Sequence, residues 1–165
     1  MHIFIKLITY FFIIIFICSC LHNASISNFP TNSNKINFDN YSTQINKKKT
    51  PIWTFKGSNQ YFIEQKKIID EKELVAIIEK ALQTRGNHIV SNNIENKCII
   101  GEKGMSFNEY NSITGVYYRI ESDKIQIYIK TQITQDITGG AGNNLSKKLG
   151  KLIETALKDI MVKNG

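Results

Sequence analysis

Apolar residues recur at the three- and four-residue spacing of an amphipathic helix in two parts of the chain. In the first, which spans residues 71–85, they are Leu74, Val75, Ile77, Ile78, Ala81 and Leu82. In the second, near the C-terminus, they are Leu145, Leu149, Leu152, Ile153, Ala156, Leu157, Ile160 and Met161. Both stripes predict helices that bury one face. We expect Leu152 and Leu157 to belong to the core.

The first helix has clear signals at both ends. Asp70 is a favourable N-cap, and Glu73 stands three residues later, as in a capping box. Ile69 can pack against Leu74 across the cap. Gly86 is suited to the left-handed turn that ends many helices. The acidic residues at the start of this helix are therefore interpreted as capping groups and not as catalytic acids.

Alternating apolar and polar residues fill the region between the two helices and predict strands at 87–94, 97–102, 114–120 and 125–134, with shorter ones at 52–55 and 60–65. In the longest, Ile125, Ile127 and Ile129 would face the core, while Gln126, Tyr128 and Lys130 would face water. The pattern predicts an α+β fold, a two-layer sandwich with an antiparallel sheet of about four or five strands and two helices on one face.

Residues 21–50 show neither helical nor strand periodicity. Asn, Ser and Thr dominate, and apolar residues occur singly. Such a composition predicts a segment that cannot offset the entropy of ordering, and we expect a flexible tether. The expected organisation is a signal peptide at 1–19, a modified cysteine and tether at 20–50, and a single α+β domain at 51–165.

The first twenty residues have the layout of an export signal. Lys6 precedes a mostly apolar run from Leu7 to Ile17, and small residues follow. The four residues Ile17, Cys18, Ser19 and Cys20 resemble the lipobox of bacterial lipoproteins. The lipobox resemblance covers only this amino-terminal segment. From about residue 71 to 162, the predicted layout is loosely similar to that of small bacterial lipoproteins of unassigned function, and it implies no catalytic or binding residue. The lipobox resemblance implies cleavage before Cys20, a diacylglycerol thioether on the Cys20 sulfur and acylation, with palmitate for example, of the new amino terminus.

Two other interpretations of this segment remain open: an uncleaved membrane anchor, and cleavage without lipidation at Cys20. The apolar run of eleven residues is short for a transmembrane helix, which needs about 20. Two or three acyl chains would hold the protein durably on a bilayer. Because Leu21 follows the cysteine, the resemblance implies the outer membrane, facing the periplasm, if the host has two membranes.

The net charge of +7 does not indicate a nucleic-acid-binding protein. Residues 51–165 carry 16 basic and 13 acidic side chains, and 19 of the 21 basic residues in the chain are lysines. Lysine lacks the planar fork with which arginine recognises phosphate. An exported protein also meets little nucleic acid, so we expect none as a partner.

Candidate catalytic chemistry is sparse. Cys98 is expected to be a small buried residue of a strand, and the histidine at 88 a structural one, because neither has partners at catalytic or metal-binding spacing. The loop at 136–144 contains three glycines before a helix, yet its spacing matches no nucleotide-binding motif. We predict no catalytic residue, no cofactor and no metal, and Cys20 as the one modified site.

The sequence therefore favours a non-enzymatic lipoprotein of the cell envelope, anchored in the lipid bilayer through acylated Cys20, that binds or helps to assemble another envelope protein or component. Two alternatives stay open. A carrier of a small ligand or lipid would need an apolar cavity between helices and sheet. A small envelope enzyme would need a cleft with convergent polar groups.

Overall fold

A computed structural model of the chain describes residues 25–47, 58–67, 69–104, 111–133 and 145–164. Its strands are β1 (Ser58–Lys66), β2 (His88–Asn93), β3 (Cys98–Lys103), β4 (Ser112–Ile120) and β5 (Lys124–Ile133). Its helices are α1 (Glu71–Thr84) and α2 (Leu145–Asn164). Four 3₁₀ turns precede β1, at Ile26–Asn28, Ser33–Lys35, Phe38–Asn40 and Thr43–Lys47.

The five strands form one sheet in the order β1-β5-β4-β3-β2, and every neighbouring pair is antiparallel. Both helices pack on the same face of this sheet, so the predicted α+β sandwich is confirmed. Because α1 follows β1 and α2 follows β5, the two helices run in opposite directions across the sheet.

The core between sheet and helices is built from the residues that the periodicity assigned to it. Leu74, Ile78 and Leu82 of α1 are completely buried, as are Val116, Tyr118, Ile127 and Ile129 of the two central strands. The cap of α1 is also as predicted: the backbone N–H of Glu73 donates to the Asp70 carboxylate at 2.8 Å. Gly86 follows with a φ of +77°, the left-handed conformation in which glycine is favoured.

The prediction for α2 is confirmed at Leu157 and wrong at Leu152. Leu149, Ile153 and Leu157 are buried against the sheet and α1, whereas Leu152 is 38% exposed. The contact is narrower than the apolar stripe. Gly150 explains how closely the helix approaches β1, because a Cβ at this position would lie 2.1 Å from the Tyr61 ring.

The expectation of a flexible tether does not hold for residues 25–47. This segment, which we call the strap, crosses the face of the sheet opposite the helices. Phe29 and Phe38 are buried in a second apolar cluster, and Ile36, Tyr41 and Ile45 are partly buried against it. The strap therefore belongs to the folded domain, and the sheet is covered on both faces.

The strap also changes the environment of the face expected to meet water. Tyr117 and Tyr128 are buried beneath it, and Gln126 is buried beside them. Tyr41 of the strap stacks on Tyr128 with ring centroids 4.3 Å apart. Phe29 fits over Gly115, where a Cβ would approach the Phe29 ring to 2.8 Å. The outward strand residues thus form a second core.

Polar contacts hold the strap at two points along its course. The backbone N–H of Ser33 donates to the carbonyl of Asn96 at 2.9 Å, in the turn between β2 and β3. Farther along, Arg119 of β4 pairs with Asp39 and lies over the Phe38 ring. The hydrogen bond and charge of Arg119 hold the pKa of the Asp39 carboxyl below its usual value.

Several predicted features lie outside the described residues. They are the signal peptide and Cys20, the short strand at 52–55, and the glycine-containing loop at 136–144.

Candidate functional site

Cys98 is the free thiol among the described residues, and its surroundings make it unreactive. The side chain is 1% exposed, as predicted, and Sγ donates to the carbonyl of Pro30 at 3.5 Å. Burial raises the pKa of the thiol to about 11. Because the nucleophilic form is the thiolate, this cysteine serves packing between β3 and the strap.

The histidine predicted to be structural lies in the predicted strand. His88 is the first residue of β2, but it is exposed and does not contribute to the core. Across the described ranges, no group of three or more His, Cys, Asp or Glu side chains comes together as a metal site would require. Cys20 and His22 lie outside these ranges.

A small cleft lies where α1 ends and α2 begins. It is lined by Arg85, Asn87, Lys103, Ser112, Thr114, Leu145 and Leu149. Its free volume of about 10 Å³ has room for a single water molecule. The buried Asn87 Oδ1, which lacks a hydrogen-bond partner, is a suitable ligand for such a water. This cleft is too small to admit a substrate.

A buried polar cluster beside the cleft fixes the start of α2. The Ser146 hydroxyl lies 2.9 Å from the carbonyl oxygen of Asn59 and 2.8 Å from Thr131 Oγ1. The Ser146 backbone N–H donates to the Asn59 side chain at 2.7 Å. Since Ser146 is completely buried and its contacts are all within the fold, the cluster is a structural joint between α2 and the sheet.

The two edges of the sheet differ in how their outward-pointing backbone groups are covered. At the β1 edge, the Asn46 side chain bonds to Phe62 twice: its amide N–H donates to the Phe62 carbonyl, and its oxygen accepts from the Phe62 N–H, each at 2.8 Å. The strap thus satisfies backbone groups that point away from the sheet. β1 also carries Glu64 and Lys66, and charged residues discourage pairing with other strands.

The β2 edge has no comparable cover in the part of the chain that the structure describes. β2 pairs with β3 alone, and its six residues, His88 to Asn93, carry no Lys, Asp or Glu. Val90 is 44% exposed, and Ile94 in the following turn is 49% exposed. In an antiparallel strand about half of the backbone groups point outward, so β2 offers roughly three residues for pairing.

Two features shape this edge. Asn92 donates its side-chain N–H to Glu79 of α1, which ties the strand to the helix layer. The pairing with β3 shifts register between Ile89 and Ser91, and such a bulge increases the local twist. The shift also limits the length of regular edge that a partner can use, so a short extended peptide fits it best.

The alternation of residues predicted the strand at 87–94 but not its place at the edge of the sheet. The available signal was compositional. Ser91, Asn92 and Asn93 dilute the apolar alternation, and central strands such as β4 and β5 contain more buried residues. Strand order cannot be read from such a signal alone.

In comparisons with known proteins, no family model and no curated sequence matches this chain. Neither described helix combines the length and apolar character needed to cross a bilayer.

Proposed function

We propose that the protein is a non-enzymatic lipoprotein of the cell envelope, held on the bilayer by acylated Cys20, that binds an extended segment of another envelope protein along β2. The observation that carries the binding role is the contrast between the edges: Asn46 caps β1, while β2 is uncharged and unpaired on its outer side in the described structure. Export and lipidation rest on the resemblance of residues 17–20 to a lipobox.

Strand addition matches the chemistry of this edge. Backbone N–H and C=O groups of β2 would supply the affinity, and exposed Val90 would supply an apolar contact on one face. Since the strand carries no Lys, Arg, Asp or Glu, a charged partner segment meets no repulsion from such side chains there. Partners of this kind are extended peptide segments with alternating small apolar and polar residues.

The packing between sheet and helices weighs against the carrier alternative. Leu74, Ile78, Leu82, Ile99, Ile153 and Leu157 fill the space that a ligand would occupy. A cavity for a small ligand usually measures about 300–1,000 Å³, far more than the water-sized cleft beside α2.

Site-specific photocrosslinking in the native host tests the binding role. A photoreactive residue at Val90 is expected to capture a discrete envelope protein. The same residue at Val162, which is 83% exposed on α2, is the matched control and should capture none. An identical pattern at both positions, or no adduct from Val90, would overturn the proposal.

Metabolic labelling tests the anchor separately. A fatty-acid probe should label the wild type and not Cys20→Ser. Equal labelling of the two proteins would contradict lipidation at Cys20 without bearing on the β2 edge.

A further inference from the structure

The ordered strap shortens the connection between the proposed anchor and the domain. Ser25 caps the first 3₁₀ turn, where its hydroxyl accepts from the Ser27 N–H, and Phe29, four residues later, is buried. Only residues 21–24 separate Ser25 from Cys20. At about 3.3–3.6 Å per residue, the Cα atoms of Cys20 and Ser25 can be at most about 18 Å apart. A flexible segment of 30 residues would have allowed about 100 Å.

The strap first contacts the sheet over the central strands β4 and β5. The Asn28 carbonyl accepts from Lys130 Nζ at 3.4 Å, and Phe29 packs on Gly115 with Lys130 over its ring. Gly115 and Lys130 are paired across β4 and β5. Lys130 is three residues from Ile133, where β5 ends, so the junction lies toward that end of the sheet.

This end of the sheet, which we call the α2 end, is where β3 and β5 finish, β4 begins and α2 starts. Its described charged side chains are mainly basic: Lys147 and Lys148 are exposed on the first turn of α2, and Arg85, Lys103 and Lys130 lie nearby. The described acidic side chain at this end is Glu102. The net charge of these named side chains is therefore positive, although some of them have partners within the fold.

The opposite end carries charges of both signs. Asp39, Asp70, Glu71, Glu73, Glu121 and Asp123 lie there, with Arg119 and Lys124 paired among them. Lys66, Lys67, Lys72 and Lys97 lie there as well. The described domain thus has a mainly basic end near the point where the strap begins and an end of mixed charge far from it.

We infer that the α2 end of the domain lies against anionic headgroups of the same bilayer that holds acylated Cys20. This inference rests on the proposed lipid anchor and adds the orientation of the domain. The short connection keeps the domain within reach of the surface, and basic residues near an anionic bilayer are attracted to it over about one Debye length. With the α2 end down, the β2 edge stands roughly upright and one long side of it remains open to a partner.

Lysine footprinting on the lipidated full protein in vesicles tests this orientation. A membrane-impermeant amine-reactive reagent labels exposed lysines, and mass spectrometry compares Lys147 and Lys148 with Lys158 and Lys163 on the same helix. In vesicles that contain anionic lipid, we expect labelling of the first pair to fall about threefold or more relative to zwitterionic vesicles. Labelling of the second pair should not change.

Two paired variants provide the control. Lys147→Gln with Lys148→Gln should abolish the lipid-dependent protection of nearby lysines at the α2 end, including Lys103, and Lys158→Gln with Lys163→Gln should leave it intact. Equal protection of both ends, or protection that ignores lipid charge, would overturn the orientation. The mass of the amino-terminal peptide is read in the same experiment: an acylated peptide without protection contradicts only the orientation, whereas a peptide without acyl chains overturns the anchor and the orientation together.

Discussion

Asn46 acts on Phe62 as a short segment of neighbouring strand would. Its side-chain amide bonds both the N–H and the C=O of Phe62, each at 2.8 Å, on the side of β1 that faces away from the sheet. The strap thereby ends by closing one edge of the sheet that it covers. The β2 edge remains as the place where a partner strand could be added.

Replacing Asn46 by Ala should destabilise the domain by about 1–3 kcal/mol, because two backbone groups of Phe62 lose their partners at a partly buried position. Gln44→Ala is the control, since Gln44 lies in the same turn and is exposed. Chemical denaturation followed by circular dichroism measures both. A loss no larger for Asn46→Ala than for Gln44→Ala would contradict the role of this amide.

Phe29→Ala should cost about 3–5 kcal/mol, the usual range for a buried phenylalanine, because the ring fills the space over Gly115. Ile26→Ala is the matched control in the same turn region, since Ile26 is 40% exposed. Thermal unfolding separates the two. Wild-type stability of Phe29→Ala would mean that the strap contributes nothing to folding.

Leu157→Ala and Leu152→Ala make the same chemical change on the same helix, five residues apart. Leu157 is completely buried, so its truncation should cost about 2–5 kcal/mol. Leu152 is 38% exposed, and its truncation should cost less than about 1 kcal/mol, as for most surface positions. Equal losses in denaturant unfolding would show that the helix is rotated relative to the sheet.

High pH should unfold the domain through its buried tyrosines. Burial raises the pKa of Tyr61 to about 12 and raises those of Tyr117, Tyr118 and Tyr128, each from an ordinary value of 10.0. Since the folded pKa values are raised, the unfolded chain releases these protons first. Stability is therefore complete only well below pH 9, where the thiol of Cys98 is half ionised in the unfolded chain, and it falls as the pH rises through this range.

Tyrosinate absorbance and circular dichroism, recorded together between pH 8 and 13, test this expectation. The absorbance of the buried tyrosines should rise only as the structure is lost. Ionisation of all tyrosines with a midpoint near pH 10 and an unchanged dichroism spectrum would contradict their burial.

The core between the helices and the sheet could be predicted, because both helices and the central strands follow a regular period. Leu74, Ile78 and Leu82 repeat at helical spacing, and Ile125, Ile127 and Ile129 alternate. Leu152 was wrongly assigned to the core on the basis of its place in the apolar stripe. Such a stripe shows which side of a helix faces inward but not how much of that side makes contact.

The strap could not be predicted from periodicity. Phe29, Phe38 and Tyr41 are separated by polar residues, and each is placed by a 3₁₀ turn, so their spacing matches neither a helix nor a strand. One signal was available on the sheet. Tyr128, which pairs with Tyr117 across β4 and β5, is a large aromatic residue on the side expected to face water. The open β2 edge depends on strand order, which no local pattern encodes.

Hydrogen exchange of the strap tests the described fold most directly. The second core, the closed β1 edge and the short connection to Cys20 all depend on an ordered strap. Mass spectrometry should find amides of residues 33–41, such as the Ser33 N–H bonded to Asn96, exchanging far more slowly than in an unstructured peptide of the same sequence. Exchange of this segment at the unstructured rate, with β4 and β5 still protected, would contradict the account.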